Sequence, residues 1–277
     1  MKRAVARRQT WWTRLFVAAV LAAVILPVPQ PWGLVVAAAL FALSLVRPPA
    51  TTCEPVEVDA PLRGRWVVVN GPGTAVPSHG ITAYGQAYAV DVLQPAPDAR
   101  TSVGWGLRPR HPESYPAFAR PVHAMADGTV VRARGAQRDH GARDTWPLLV
   151  WMMTVEGFLR DLAGVGRILG NHVVVRHEDG TVAVYAHLRR DSPRVREGEA
   201  VRAGQVLAEV GNTGNTSEPH LHVQVMDREQ ATAAAGVPMR WRGVTADGER
   251  DPRWSTAKRR PTALPDFPEN GHVLELG

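Results

Sequence analysis

The sequence predicts a mainly β fold: a compact antiparallel β-sandwich or barrel-like domain with one helical insertion, preceded by an N-terminal helical membrane segment. Three observations carry this reading. From Arg63 onward, short β-branched runs alternate with Gly, Asn and Asp, the texture of sandwiches and barrels. Residues 135–170 switch to helical spacing. Finally, Leu15 to Val46 contains no Asp, Glu, Lys or Arg, further than a soluble core helix normally runs without charge.

The elements follow in order. Residues 1–47 read as a membrane segment of one or two short apolar helices, entered through Lys2, Arg3, Arg7, Arg8 and Arg14. Prolines at 27, 29 and 31 argue against one continuous helix. The second run, Trp32 to Val46, is shorter than the roughly 20 residues a crossing needs. A tight hairpin, or one crossing plus an interfacial segment, both fit. The basic start favours a cytoplasmic N-terminus, and a complete hairpin would then return the rest of the chain to the cytoplasm. Residues 48–61, polar and proline-bearing, read as a linker. The folded domain is expected over 62–250, with strands at Trp66–Asn70, Gln86–Leu93, Gly128–Ala133, His172–Arg176, Thr181–Leu188, Gln205–Val210 and His220–Met226. In the 135–170 insertion, Thr145 suits a helix cap and Pro147 a first turn. Leu148, Trp151, Val155, Leu159 and Leu162 then recur at helical spacing up to Gly164. This stripe is expected to pack on the domain; the functional alternatives are a lid, a substrate wall or a membrane-touching helix. Residues 251–277 form a C-terminal extension, in which His272 to Leu276 has the pattern of an added edge strand.

Charge narrows the partners. The chain has 32 Lys+Arg and 26 Asp+Glu, a formal net charge of +6, which by itself invites a nucleic-acid reading. But residues 1–47 hold Lys2, Arg3, Arg7, Arg8, Arg14 and Arg47 and no acid. The excess therefore belongs wholly to the membrane flank, where it is a topology signal and a contact for anionic lipid. The remainder is neutral in sum and gives no reason to expect nucleic acid. Cys53 is the single cysteine, so no intramolecular disulfide framework exists.

The histidines carry the chemistry. On a strand, His220 and His222 share one face while Leu221 points the other way. Two imidazoles on a rigid strand suit zinc, although a His-x-His pair alone is weak. Its context is stronger. Gly211-Asn-Thr-Gly-Asn-Thr-Ser-Glu-Pro-His-Leu-His-Val-Gln-Val resembles the signature of the lysostaphin/LytM-type zinc metalloendopeptidases, a peptidoglycan peptidase family. So do Thr181-Val-Ala-Val-Tyr-Ala-His-Leu, the Gly-punctuated hairpin from Val195, and Pro121-Val-His-Ala-Met-Ala-Asp-Gly-Thr-Val-Val. Together these motifs cover roughly residues 79 to 226.

The resemblance implies His222 as a metal ligand, with His187 and His220 as catalytic residues. It also implies a first metal half-site of histidine followed four residues later by aspartate. Asp91 matches the aspartate, but Ala87 stands where the histidine is expected. His79, twelve residues before Asp91 with Gly80 and Gly85 between, is the replacement: a short turn would return the chain so that both face one point. The implied cofactor is one Zn2+ per chain on His79, Asp91 and His222, leaving a position for water. The sequence has no His-Glu-x-x-His run, so proton transfer falls to His187 and His220. The remaining histidines are expected to be rim or packing residues (His123, His172) or solvent-facing (His111, His140, His177, His272). The implied activity is cleavage of peptide stems or cross-links of bacterial peptidoglycan by an extracytoplasmic domain anchored in the cytoplasmic membrane. The rival is a catalytically inactive LytM-like domain that regulates a wall hydrolase.

Overall fold

The computed structural model describes the chain except residues 27–30, 52, 95–102 and 256. Pro27 and Pro29 lie outside the described residues. Three helices open the chain: α1 (Lys2–Ala6), α2 (Gln9–Ile25) and α3 (Trp32–Ser44). Next come β1 (Val56–Asp59), β2 (Gly64–Asn70), β3 (Val90–Leu93), β4 (Pro121–His123) and β5 (Gly128–Arg134). The insertion holds α4 (Trp146–Trp151), α5 (Gly157–Ala163) and α6 (Val165–Leu169). The domain then continues through β6 (Asn171–His177), β7 (Val182–Leu188), β8 (Ala200–Val201), β9 (Val206–Glu209) and β10 (Leu221–Met226). It closes with β11 (Gly236–Val237), β12 (Met239–Arg242), β13 (Val244–Arg250) and β14 (His272–Leu276).

The fold is mainly β. A ten-stranded sheet runs β13-β14-β2-β3-β10-β7-β6-β5-β8, with β11 also on β10, and its pairings are antiparallel. Two small pairs, β4 with β9 and the parallel β1 with β12, stand apart from it. Alternation on β10 shows why the layers form. Leu221, Val223 and Val225 point into the main core, where they meet Trp66, Val90, Val92, Val173 and Tyr185 of the sheet. Val58, Val122, Leu207 and Met239 of the small pairs belong to the same core, which makes a two-layer sandwich. His222, Gln224 and Met226 face the opposite side, where Met226 joins a smaller core with Tyr84, Val182, Val184 and Leu169.

Several expectations change. The segment 48–61 contains β1, paired with β12. The strand expected from Gln86 starts only at Val90, because Ala83–Gly85 is a 3-10 turn with Tyr84 at a φ of 59°. β14 lies between β13 and β2 rather than at an edge, since Leu274 and Leu276 are core residues. The insertion is helical: Thr145 occupies the N-cap position of α4 but spends its hydroxyl on Gly106 O rather than on the helix, Pro147 lies in the first turn, and a π-helical turn at Met152–Glu156 joins α4 to α5. Its apolar stripe does not pack on the domain, because Trp151, Val155 and Leu159 are exposed.

The predicted membrane-spanning helix is not found. Among the described residues no helix is long and apolar enough to cross a membrane. The 17 residues of α2 and 13 of α3 rise about 25 and about 20 Å at 1.5 Å per residue, against a hydrocarbon core of about 30 Å. The two helices instead pair as a hairpin, with Phe16 and Phe41 ring centroids 5.2 Å apart.

Placing β14 inside the sheet has a measurable consequence. Leu274 is 2% exposed, so Leu274→Ala is expected to destabilise the domain by about 2–5 kcal/mol. Urea unfolding should show a lowered midpoint; an unchanged one would mean that the C-terminal extension is dispensable to the core.

Candidate metal centre

Cross-strand register builds the site. On the central strands, His222 pairs with Asp91 of β3 on one side and Ala186 of β7 on the other, and Asn70 of β2 pairs with Asp91. Paired residues share a face, so Asn70, Asp91 and His222 form one row across three strands. His79 arrives from outside the sheet. Its loop is held by the Ser78 amide, which donates to Ala87 O (3.0 Å), and by Ser78 Oγ, which donates to Ala89 O (2.7 Å). The expected return turn is therefore present, and His79 Nε2 lies 2.8 Å from Asp91 Oδ2.

His187 is placed by an irregularity. Ala186 is opposite His222, so strict alternation would send His187 to the other face. Between the Val173–Tyr185 and Asn171–Leu188 pairs, however, β7 carries one more residue than β6, and His187 has a φ of 59°. A bulge with one residue in the left-handed region re-aims a side chain. The His187 ring accordingly sits 5.0 Å from that of His220 and 5.7 Å from that of His222.

The structure thus brings all five sequence-chosen residues together. His79, Asp91 and His222 each offer one ligand atom, and these atoms lie within 4.8 Å of one another. The hydrogen bonds assign the tautomers. Ser78 Oγ has spent its proton on Ala89 O, so it accepts from His79 Nδ1–H at 3.0 Å, and His79 Nε2 is left with its lone pair toward Asp91. Gln224 Oε1 accepts from His222 Nε2–H at 2.9 Å, so His222 Nδ1, 2.8 Å from Asp91 Oδ1, is the remaining ligand atom. Two imidazole lone pairs and a carboxylate converging on one buried point repel each other unless a cation joins them. A proton or a metal ion satisfies this donor set, and two nitrogens with one oxygen suit zinc.

The electrostatics agree. Burial would raise the Asp91 carboxyl, but the imidazoles of His79, His220 and His222 overrule it and hold it well below the ordinary carboxylate range. Burial pushes His222 down, yet Asp91 and Gln224 bring it above the ordinary imidazole value. His187 falls well below that value, first through burial and then through His220 and His222. His220 is also lowered, mainly by burial and against the pull of Asp91. His187 Nδ1–H donates to Thr213 O at 2.8 Å and His220 Nδ1–H to Glu218 O at 2.7 Å. Both backbone carbonyls leave Nε2 as a free base facing the site.

Thr213 depends on close packing. A Cβ on Gly214, at a φ of 83°, would lie 2.4 Å from Gly170 N, and one on Gly170, at a φ of 68°, would lie 2.3 Å from Thr213 O. Two residues expected at the surface also change place. His140 is held at this loop, its Nε2 2.9 Å from Gly214 O, and His177 is buried. The residues that sequence reading missed are supports: Asn70, whose Nδ2 donates to Asp91 Oδ2 at 2.8 Å, Ser78, Thr213 and Gln224. Gln224 is fully buried, and its Nε2 donates to Tyr84 O at 2.7 Å. Its signal was legible, since His220, His222 and Gln224 follow the two-residue period of one strand face.

Comparison with known proteins reaches the part of the site that holds His187, His220 and His222. Residues 155–234 match the model of peptidase family M23. Over 57 residues, or 21% of this chain, the sequence is 39% identical to the peptidoglycan DD-endopeptidase ShyC of Vibrio cholerae, covering 13% of that protein. Over 56 residues, or 20% of this chain, it is 41% identical to the murein hydrolase activator NlpD of Escherichia coli, covering 14% of it. The chain thus matches only about a seventh of each relative's length. The catalytic domain of lysostaphin from Staphylococcus simulans superposes with a TM-score of 0.33 at 19% identity, covering 62% of this chain and 88% of that one.

Gln224 orients His222 from behind, and partners of this kind typically control metal affinity by 10–100-fold. Gln224→Ala is therefore expected to weaken Zn2+ binding by about that factor, read by competition with a chromogenic chelator. Unchanged affinity would show that the amide does not position the ligand.

Proposed function

We propose that this chain, whose residues 155–234 match the model of peptidase family M23, is a zinc-dependent endopeptidase that cuts peptide stems or cross-links of bacterial peptidoglycan. The observation that carries the reading is the complete set at one point: three ligand atoms within 4.8 Å of one another, flanked by two imidazoles whose Nδ1 positions are tied to backbone carbonyls. Nothing in this set is replaced by a residue incapable of its role, as a purely regulatory domain would permit.

His79, Asp91 and His222 would hold the ion, with Asn70, Ser78 and Gln224 fixing their orientation. Bound there, zinc supplies a Lewis acid that polarises the scissile carbonyl and makes water more acidic. The free Nε2 of His187 or His220 takes the proton of the attacking water as its oxygen bonds to the carbonyl carbon. The imidazolium so formed stands beside the developing oxyanion and gives that same proton to the amine as the C–N bond breaks, which returns it to the free base, while the other imidazole stays neutral beside it. Burial keeps His187 and His220 unprotonated at neutral pH, the state a base requires. The wall lies outside the cytoplasmic membrane, so the domain works there, and the apolar N-terminal hairpin holds it at the membrane.

Purified protein is expected to contain one zinc per chain and to cleave isolated sacculi. His187→Ala should lower kcat by about 10²–10⁴-fold with zinc retained, whereas His79→Ala should lose the metal as well. Wild-type protein loaded with zinc that releases no peptide from sacculi, yet stimulates a separate wall hydrolase, would replace this reading with the regulatory one.

A further inference from the structure

The N-terminal hairpin and the insertion lie side by side. Arg14 Nε of α2 donates to Leu162 O of α5 at 2.8 Å. Large apolar side chains at the end of α2 and the start of α3 are exposed: Val24 is 79% exposed, Ile25 76% and Trp32 69%. No charged residue occurs from Leu15 to Val46, so beyond Arg14 neither helix offers the polar face that a water-exposed helix needs. The insertion adds a second apolar surface, with Val150, Trp151, Met153, Phe158 and Leu159 all exposed. Its polar side is turned inward, where Glu156 pairs with Arg143 and Arg160.

The hairpin's base is fixed to the domain. Arg3 Nη1 donates to Ala233 O at 3.0 Å and Arg3 pairs with Asp227 at 2.7 Å. Ala6 is fully buried, and Thr232 Oγ1 donates to Arg7 O at 3.2 Å. The chain therefore leaves the domain along α2 and returns along α3. Its start and its β domain lie on one side of anything the hairpin enters.

We propose that α2–α3 and the outer face of α4–α5 form one lipid-binding surface, which enters a single leaflet of an anionic bilayer without crossing it. The occupant is chosen by chemistry. Val24, Ile25 and Trp32 are exposed at the far ends of the two helices, while Lys2, Arg7 and Arg8 are exposed at the base, where headgroup phosphates would lie. Helices of about 20–25 Å at 1.5 Å per residue suit partial entry. This placement removes the conflict between a basic start and a domain outside the cytoplasm, because no segment has to cross.

The surface also bears on the site. Arg143, just before α4, has its amide donating to Ser217 O at 2.5 Å, and a Cβ on Gly157 of α5 would lie 3.6 Å from Asn215 Oδ1. The insertion thus backs the 211–218 loop that delivers His220. Seated in lipid, it would hold that rim of the centre at the membrane surface, beside wall strands nearest the membrane.

The test uses the full chain with Cys53→Ser, since Cys53 is exposed, and an environment-sensitive fluorophore on Val35→Cys, Phe158→Cys or Arg202→Cys in turn. With phosphatidylglycerol-containing vesicles, blue-shifted emission is expected at positions 35 and 158 and not at 202, with at least tenfold weaker partitioning into pure phosphatidylcholine. A membrane-impermeant maleimide added outside should label Lys2→Cys completely. A shift at 35 alone would remove the insertion from the surface, and no shift at either position would overturn the proposal entirely. Protection of Lys2→Cys would mean a crossing. A shift without vesicles, accompanied by dimer in sedimentation, would assign the face to a second copy of the chain. None of these readouts depends on peptidase activity, so failure here leaves the enzymatic reading standing.

Discussion

The structure around the site turns on the Asp91 carboxylate. It is buried, it pairs across the sheet with His222, and it faces His79 and His220. A buried carboxylate is tolerated only when cations or donors surround it. Here Asn70 supplies a donor, and a proton or metal ion shared with the imidazoles would supply the rest. Each metal-side imidazole is tied down at its far nitrogen by a neutral acceptor, Ser78 Oγ or Gln224 Oε1. The lone pairs are thereby aimed at the carboxylate before any ligand arrives, which is the preorganisation a metal centre requires.

The same demand reaches into the backbone. His187 reaches the centre only through a bulge and a left-handed φ, and its Nδ1 is held by Thr213 O in a loop packed against Gly170. The insertion approaches this loop from outside through His140, Arg143 and Gly157. The other side of the centre is tied to the insertion too. Tyr84 O holds Gln224, and Tyr84 OH donates to Asp161 of α5. The helices that interrupt the β domain therefore brace the candidate site on two sides, at the loop that holds His187 and at the tyrosine that holds Gln224.

Much of this was legible from residue order alone. The period of two on β10 marks His220, His222 and Gln224 as one face and Leu221, Val223 and Val225 as the other, and the core follows that division. Asp91 and His187 were findable because each sits in a short motif on its own strand. His79 was harder. Gly80 and Gly85 allow a turn between it and Asp91, but only the Ser78 hydrogen bonds to residues 87 and 89 show that the loop closes. The surface histidines failed for the same reason: the burial of His177 is a property of packing partners distant in sequence.

The sequence by itself determined the mainly β class, the position of the insertion and the uncharged N-terminal run, because periodicity, turn chemistry and charge are local, and the resemblance of its motifs to one peptidase family pointed to the five polar side chains. Tertiary structure alone decided three things. It put β14 inside the sheet, because Leu274 and Leu276 complete a core assembled from distant strands. It turned the apolar run into a hairpin whose base returns to the domain, because Arg3 and Arg7 find their partners more than 200 residues away at 227–233. It also placed His79 beside Asp91 and His187 beside His220, because a shared lone-pair direction depends on register, a bulge and hydrogen bonds between segments far apart in the chain.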